Sequence, residues 1–323
     1  MKRDIGIGKS GLVLTMIVAL AMTILVLLFR PVDIVAEPYG VCLPSPNQWE
    51  LPFFLSWLIN TLLIGGVTLI LYLLNRGFNF VRTTEPALPA IFLLLTCSTP
   101  WCSQGLNTST ILCLVYVVSL GVIFNTYSVK NATQQLFVIG AIIGLGSMFQ
   151  YAFVPMMFIV ILWALFMKVF RLKEILAFFI GILCPYWIAL GLGLIEFSDF
   201  RFPSIVPLFD NDHNHSDIIL LIAQVGLAAA FGFILWIANS MKLYAGNSKV
   251  NAMNLCIAST GGAAMICMLV DYENLPAYIM ILYMAVAVQL SNLCALWHIR
   301  EQWLVTAIPG LVYILLFVGT LVL

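Results

Sequence analysis

Long apolar runs, each near the length of a bilayer crossing, recur from end to end of this 323-residue chain and are divided by short polar segments. A hydrocarbon layer of about 30 Å takes about 20 residues at helical rise, and every backbone polar group inside it must be paired within the segment. The runs therefore predict helices over residues 11–29, 52–75, 108–127, 151–170, 175–195, 217–241, 252–270, 276–297 and 303–323. The strand-like alternation that a membrane barrel needs is absent. Two weaker segments complete the set: 86–101 is short and broken by proline, and 134–149 carries Gly140, Gly144 and Gly146 and turns into the next run near Gln150. Each is expected to be a full span or a re-entrant piece buried against its neighbours.

Charge placement decides between counts. With eleven crossings and the amino terminus inside, the inner segments collect Lys2, Arg3, Lys9, Arg76, Arg82, Lys130, Lys168, Arg171, Lys173, Lys242, Lys249 and Arg300, leaving only Arg30 and Arg201 outside. This is the asymmetry of the positive-inside rule, with a cytoplasmic amino terminus and an exported carboxyl terminus. Lys2, Arg3 and Lys9 give the first run the basic start of a secretory signal. It is longer than a usual signal core and meets Arg30-Pro31 without a small-residue cleavage site, so a permanent span is expected.

Composition agrees with a membrane solvent: 63% of residues are hydrophobic and 9% charged. No polar stretch exceeds roughly two dozen residues, too short to bury a core of its own. The expectation is an all-α polytopic bundle forming a single integral membrane domain over 1–323, with membrane lipid as its constant partner. A net charge of zero gives no case for nucleic-acid binding.

The polar residues within the runs are Asn60, Gln150, Gln224, Gln289 and Asn292, none of them charged. Proton and sodium pumps usually require an intramembrane acid, so a pump is disfavoured. Gln289 and Asn292 are three apart, share a helix face and are expected to cross-link neighbouring helices. Gly140-x-x-x-Gly144 and the Gly261-Gly262 pair allow helices to approach closely. Of eight cysteines, Cys42, Cys97 and Cys102 fall on the outer side, where one bridge among them is permitted. Asn107-Thr108-Ser109 has the form of a glycosylation acceptor at a span's edge. No internal repeat is evident.

On the outer side, Arg30 ends the first span and can reach to headgroups. Arg201 sits beside Asp199. Residues 210–217 crowd Asp210, Asp212, Asp217, His213 and His215 together, groups that suit zinc or manganese, but their spacing matches no defined ligand motif. A solvated loop capping a helix at Ser216 or Asp217 is expected there, with no cofactor. Residues 197–209 interleave Phe197, Phe200, Phe202 and Phe209 with prolines, as an interfacial segment does.

The run Gly144 to Tyr151, then Pro155, then Arg171 to Glu174, then Gly181 and Cys184-Pro185-Tyr186, resembles a bacterial polytopic inner-membrane family of Bacteroidota envelopes whose function is unknown. The resemblance covers roughly residues 98–195 and, less sharply, the last two spans. More remotely, the cadence is similar to multi-spanning glycosyltransferases that use polyprenyl-phosphate sugars. That likeness implies a carboxylate base in the first outer loop, where Asp33 and Glu37 stand, and a cationic partner for the lipid phosphate, for which Arg30 and Arg201 are available. The second outer loop departs from that pattern: it offers Asn107 and no acid. Three function classes follow: an envelope membrane protein supporting assembly or transport beside other envelope proteins without chemistry of its own, an outward-facing transferase with a polyprenyl-phosphate lipid, and a facilitator for a neutral or lipidic solute.

Overall fold

A computed structural model describes residues 9–29, 39–81, 87–202, 215–243, 247–271, 274–296 and 302–322. Among them every regular segment is helical, apart from one isolated antiparallel bridge between Tyr39 and Pro44. The helices are α1 (Lys9–Phe29), α2 (Phe53–Phe78), α3 (Ala87–Cys97), α4 (Pro100–Ser103), α5 (Thr108–Phe124), α6 (Thr133–Phe149), α7 (Phe153–Met156), α8 (Ile159–Phe166), α9 (Leu172–Gly191), α10 (His215–Leu243), α11 (Ser248–Val270), α12 (Leu275–Leu296) and α13 (Gln302–Val322). Six are long and apolar enough to cross a membrane: α1, α2 and α9 to α12. Five shorter apolar stretches join them, at Ala87–Cys97, Thr108–Phe124, Thr133–Phe149, Phe153–Phe166 and Pro309–Leu321.

The weak segment at 86–101 is two helices rather than one. The chain leaves helical geometry at Thr99, extended at φ −107° and ψ 105°, because the residue before a proline is pushed out of the α region. Pro100 then takes the first position of α4, where a missing N–H costs nothing. Nearly every side chain of α3 is buried in protein, so its short length is no handicap. The 151–170 segment is also divided, into α7 and α8, with Met157 and Phe158 between them.

The helix α12 is the hub. Its span is 94% buried, against 50% for α11 and 22–33% for the other four long helices. It packs on α3, α5, α10 and α11, while α13 lies on α10 and α3, and α1 and α2 flank α3. A second unit, α6 on α9, joins this body through α5. There the two backbones meet without side chains between them. A methyl group on Gly140, Gly144 or Gly181 would lie 2.2, 2.4 or 2.3 Å from the carbonyl oxygens of Phe178, Ile182 and Phe137 respectively. Glycine on both helices permits this approach, which raises packing contact where lipid supplies no hydrophobic drive.

The connecting segments gather at two ends. At one, Phe78 packs edge-on against Phe124, Tyr127 hydrogen-bonds Ser248, Asn254 Nδ2 donates to Phe80 O, and Arg171 donates to Lys130 O. Lys168 and Lys249 lie over the rings of Tyr127 and Phe78 at this same end. At the other, Trp49 meets Phe149, Asn47 accepts from Thr108 N, and Arg201 N donates to Val41 O. Residues 41–43 also donate their N–H groups to Ser147 O and Met148 O, satisfying carbonyls that the end of α6 leaves unpaired. Gly40 allows that contact, since a Cβ there would overlap Gln150 N and the carbonyl carbon of Phe149 at 2.3 Å.

Candidate functional site

Amides and hydroxyls fasten α12 to α5, α10 and α11 and to Thr99 between α3 and α4. Near its start, Met280 N donates to Ser109 Oγ on α5 at 3.0 Å. One turn on, Tyr283 and Thr99 share a hydroxyl hydrogen bond of 2.8 Å, and Tyr283 packs edge-on against Tyr313 of α13. Tyr313 in turn donates to Gln224 O on α10. Further along, Asn239 Nδ2 of α10 donates to Gln289 O at 2.7 Å and to Gln289 Oε1 at 3.0 Å. Asn292 Nδ2 donates to Asn254 Oδ1 of α11 at 2.7 Å. Gln289 and Asn292 therefore cross-link α12 to two different helices, as their spacing predicts. A comparable knot ties α2 to α5: Asn60 Nδ2 donates to Cys102 O, and Thr110 Oγ1 donates to Asn60 Oδ1.

Of the candidates expected on the outer side, Arg201 is described. Its guanidinium lies 4.2 Å from the centre of the Tyr39 ring, a cation–π contact that holds the 39–43 segment against the 196–201 turn. Asp199 takes another partner, accepting Glu196 N at 2.7 Å to close the short turn Phe197–Asp199. Phe197 and Phe202 stand almost fully exposed beside it, consistent with an interfacial segment. Arg30, Asp33, Glu37, Asp210, Asp212 and His213 lie outside the described residues, and His215 opens α10 with its side chain undescribed.

Cys42, Cys97 and Cys102, between which one bridge was permitted, form no disulfide. Burial, with a smaller contribution from Asp199, pushes the Cys42 thiol up to about 11. Asn107 is occupied in another way than its acceptor motif suggests: its side chain caps α5, accepting Thr110 N at 2.9 Å, and donates to the carbonyls of Trp101, Cys102 and Gly105.

One acid went unremarked in the sequence. Asp271 follows α11 and accepts hydrogen bonds from Tyr278 Oη at 2.9 Å and from Asn274 Nδ2 at 3.0 Å. The Asp-x-x-Asn spacing, with a tyrosine two turns further, is the signal that could have marked it. This carboxylate is held by α12's first turns and joins the ends of two helices.

A cavity of about 380 Å³ opens sideways between α8, α10, α11 and α12. Its wall is apolar and aromatic, with Phe166, Phe233, Trp236 and Met265 among the lining residues. Gln289 and Ser259 are the polar side chains on it. Ser259 Oγ donates to Cys256 O, whereas Gln289 Nε2 is buried with no hydrogen-bond partner. The glycine pair divides at this wall. Gly261 lies against Ala285, where an added Cβ would sit 2.5 Å from the alanine methyl, while Gly262 has nothing within 4 Å. No protein-family model, curated protein or solved structure matches this chain.

Proposed function

We propose that the chain is a multi-spanning protein of a bacterial inner membrane, crossing the bilayer eleven times with its amino terminus cytoplasmic, and that it supports envelope assembly or transport without chemistry of its own. The observation that carries the non-catalytic reading is the use made of interior polar side chains. Asn60, Asn239, Asn254, Asn292 and Trp163 are each bonded to a neighbouring helix, as a rigid scaffold requires. The reading of eleven crossings takes each of the five shorter apolar stretches as a span beside the six long ones, and it puts Arg76, Lys130, Lys168, Arg171, Lys173 and Lys249 on one, cytoplasmic, face.

Substitutions at the outer side separate this reading from a transferase. Asp33→Asn, Glu37→Gln and Arg201→Gln, made one at a time, are expected to leave envelope glycans unchanged. Loss of a glycan in the Asp33 or Glu37 strain would establish chemistry and overturn the proposal, because a transferase needs its base where a scaffold does not.

A further inference from the structure

We propose that the abutting turns at 126–131 and 167–173 form a docking surface for the headgroup of an anionic phospholipid, with Lys130, Arg171 and Lys173 as the groups that answer its phosphate. The inference rests on these helices lying in a bilayer, and on neither the number nor the direction of crossings.

Three bonds close the two turns on each other. Ser128 N donates to Met167 O at 3.0 Å, Arg171 Nη1 to Lys130 O at 2.7 Å and Lys173 Nζ to Asn131 Oδ1 at 3.5 Å. Two separate parts of the chain thereby bring Lys130, Lys168, Arg171 and Lys173 to one face, each of them exposed. Arg76 and Lys249 are exposed at the same end. Among the described residues Glu174 is the one acid there, and it is 2% exposed, so surface ion pairs do not account for the cations. Arg171 uses one of a guanidinium's five N–H groups on Lys130 O, and those that remain suit phosphate oxygens.

Backbone polarity adds to the side-chain charge. The helices α6 and α9 run parallel, since Gly140 lies against Phe178 and Gly144 against Ile182, so both amino-terminal ends point to this side. Neither Ala132 nor Arg171 caps its helix through a side chain, and the first-turn N–H groups carry partial positive charge. Glu174, in the first turn of α9, offsets part of that charge from below the surface.

Exposed apolar side chains select the source of the phosphate. Val129, Phe170 and Leu172 interleave with the cations and are 41–76% exposed. A basic surface that takes nucleic acid or an acidic protein from water has no use for apolar groups at that density. At a bilayer boundary the same pattern is favourable, because the apolar groups enter the acyl region while the cations stay level with the phosphates. The exposed apolar surface continues along α9 at Leu176, Ile180 and Leu183, so the cations stand where the lipid-facing wall ends. A zwitterionic headgroup brings its own cation to the phosphate, whereas an anionic one leaves its charge for the protein to answer.

Native mass spectrometry of the full chain in a non-ionic detergent tests this, with phosphatidylglycerol and phosphatidylcholine of the same acyl chains as probes. Preferential retention of phosphatidylglycerol is expected, and the preference should fall as ionic strength rises, because the cations are exposed. Lys130→Gln and Lys173→Gln should each lower phosphatidylglycerol affinity about fivefold, the worth of one cation near a lipid surface, and leave phosphatidylcholine affinity unchanged. Arg201→Gln, at the opposite end, should change neither. Equal retention of the two lipids by the unaltered chain, an equal loss in Arg201→Gln, or displacement of phosphatidylglycerol by glycerol phosphate, which has the charge and no tails, would each overturn the proposal. So would capture of poly-glutamate by the chain in phosphatidylglycerol nanodiscs, since that would make an acidic protein segment the occupant. The comparison of the two lipids uses the unaltered protein and stands even if a variant fails to fold. It depends neither on sidedness nor on envelope glycans, so failure here is distinct from failure of the proposed function.

Discussion

Asn60 shows how a single uncharged side chain can hold a membrane bundle together. It is fully buried, donates to Cys102 O at 2.8 Å and accepts from Thr110 Oγ1 at 2.7 Å. Interhelical hydrogen bonds in membranes are worth about 0.6 kcal/mol each on average, so Asn60→Leu should destabilise by about 1 kcal/mol. Reversible unfolding in mixed micelles measures this, and unchanged stability would show the knot to be idle. Cys42 gives a pH-dependent prediction at the same scale. With its thiol pushed up to about 11, thiolate is scarce at neutral pH, and its alkylation by an impermeant maleimide should rise about tenfold per pH unit through pH 10. A rate that levels off near pH 9 would contradict the burial described here. The polar residues themselves were legible in the sequence, since an amide in an apolar run stands out. Their partners were not: whether Gln289 Nε2 is satisfied depends on Asn239, 50 residues away on another helix.

Glycines mark the elements in two opposite ways. Gly144 faces a backbone carbonyl, which cannot rotate aside, so Gly144→Ala should force α6 from α9 and cost about 1–3 kcal/mol, more than the 0.5–1 kcal/mol gained in helix propensity. Gly262 faces open space, and Gly262→Ala keeps only the propensity gain. The two variants should therefore shift thermal unfolding in opposite directions, and a shift of the same sign would show the α6–α9 contact to be looser than described. The Gly140-x-x-x-Gly144 spacing announced a close contact, yet Gly181, its counterpart on α9, is a lone glycine whose spacing gives no sign of one. Pro100 announced the break between α3 and α4. The central position of α12 left no trace in the sequence, because side chains facing lipid and side chains facing protein are equally apolar.

At the scale of the whole molecule, apolar run length made helices legible, because it is a property of single segments; the direction that the basic residues suggest is an expectation of the same kind. Which segments meet is a property of pairs. The structure supplies it by gathering Phe78, Phe124, Tyr127, Ser248 and Asn254 at one end and Tyr39, Asn47, Thr108, Phe149 and Arg201 at the other. The candidate site was legible only in part: the outer-loop acids came from a resemblance, whereas the lateral cavity needs four helices in place before it exists. An odd number of crossings is the claim from which sidedness follows. The most direct measurement fuses one enzymatic reporter ahead of Met1 and, separately, after Leu323, and asks which side of the membrane each occupies. The account predicts a cytoplasmic reporter at Met1 and an exported one at Leu323; both on the same side would contradict it.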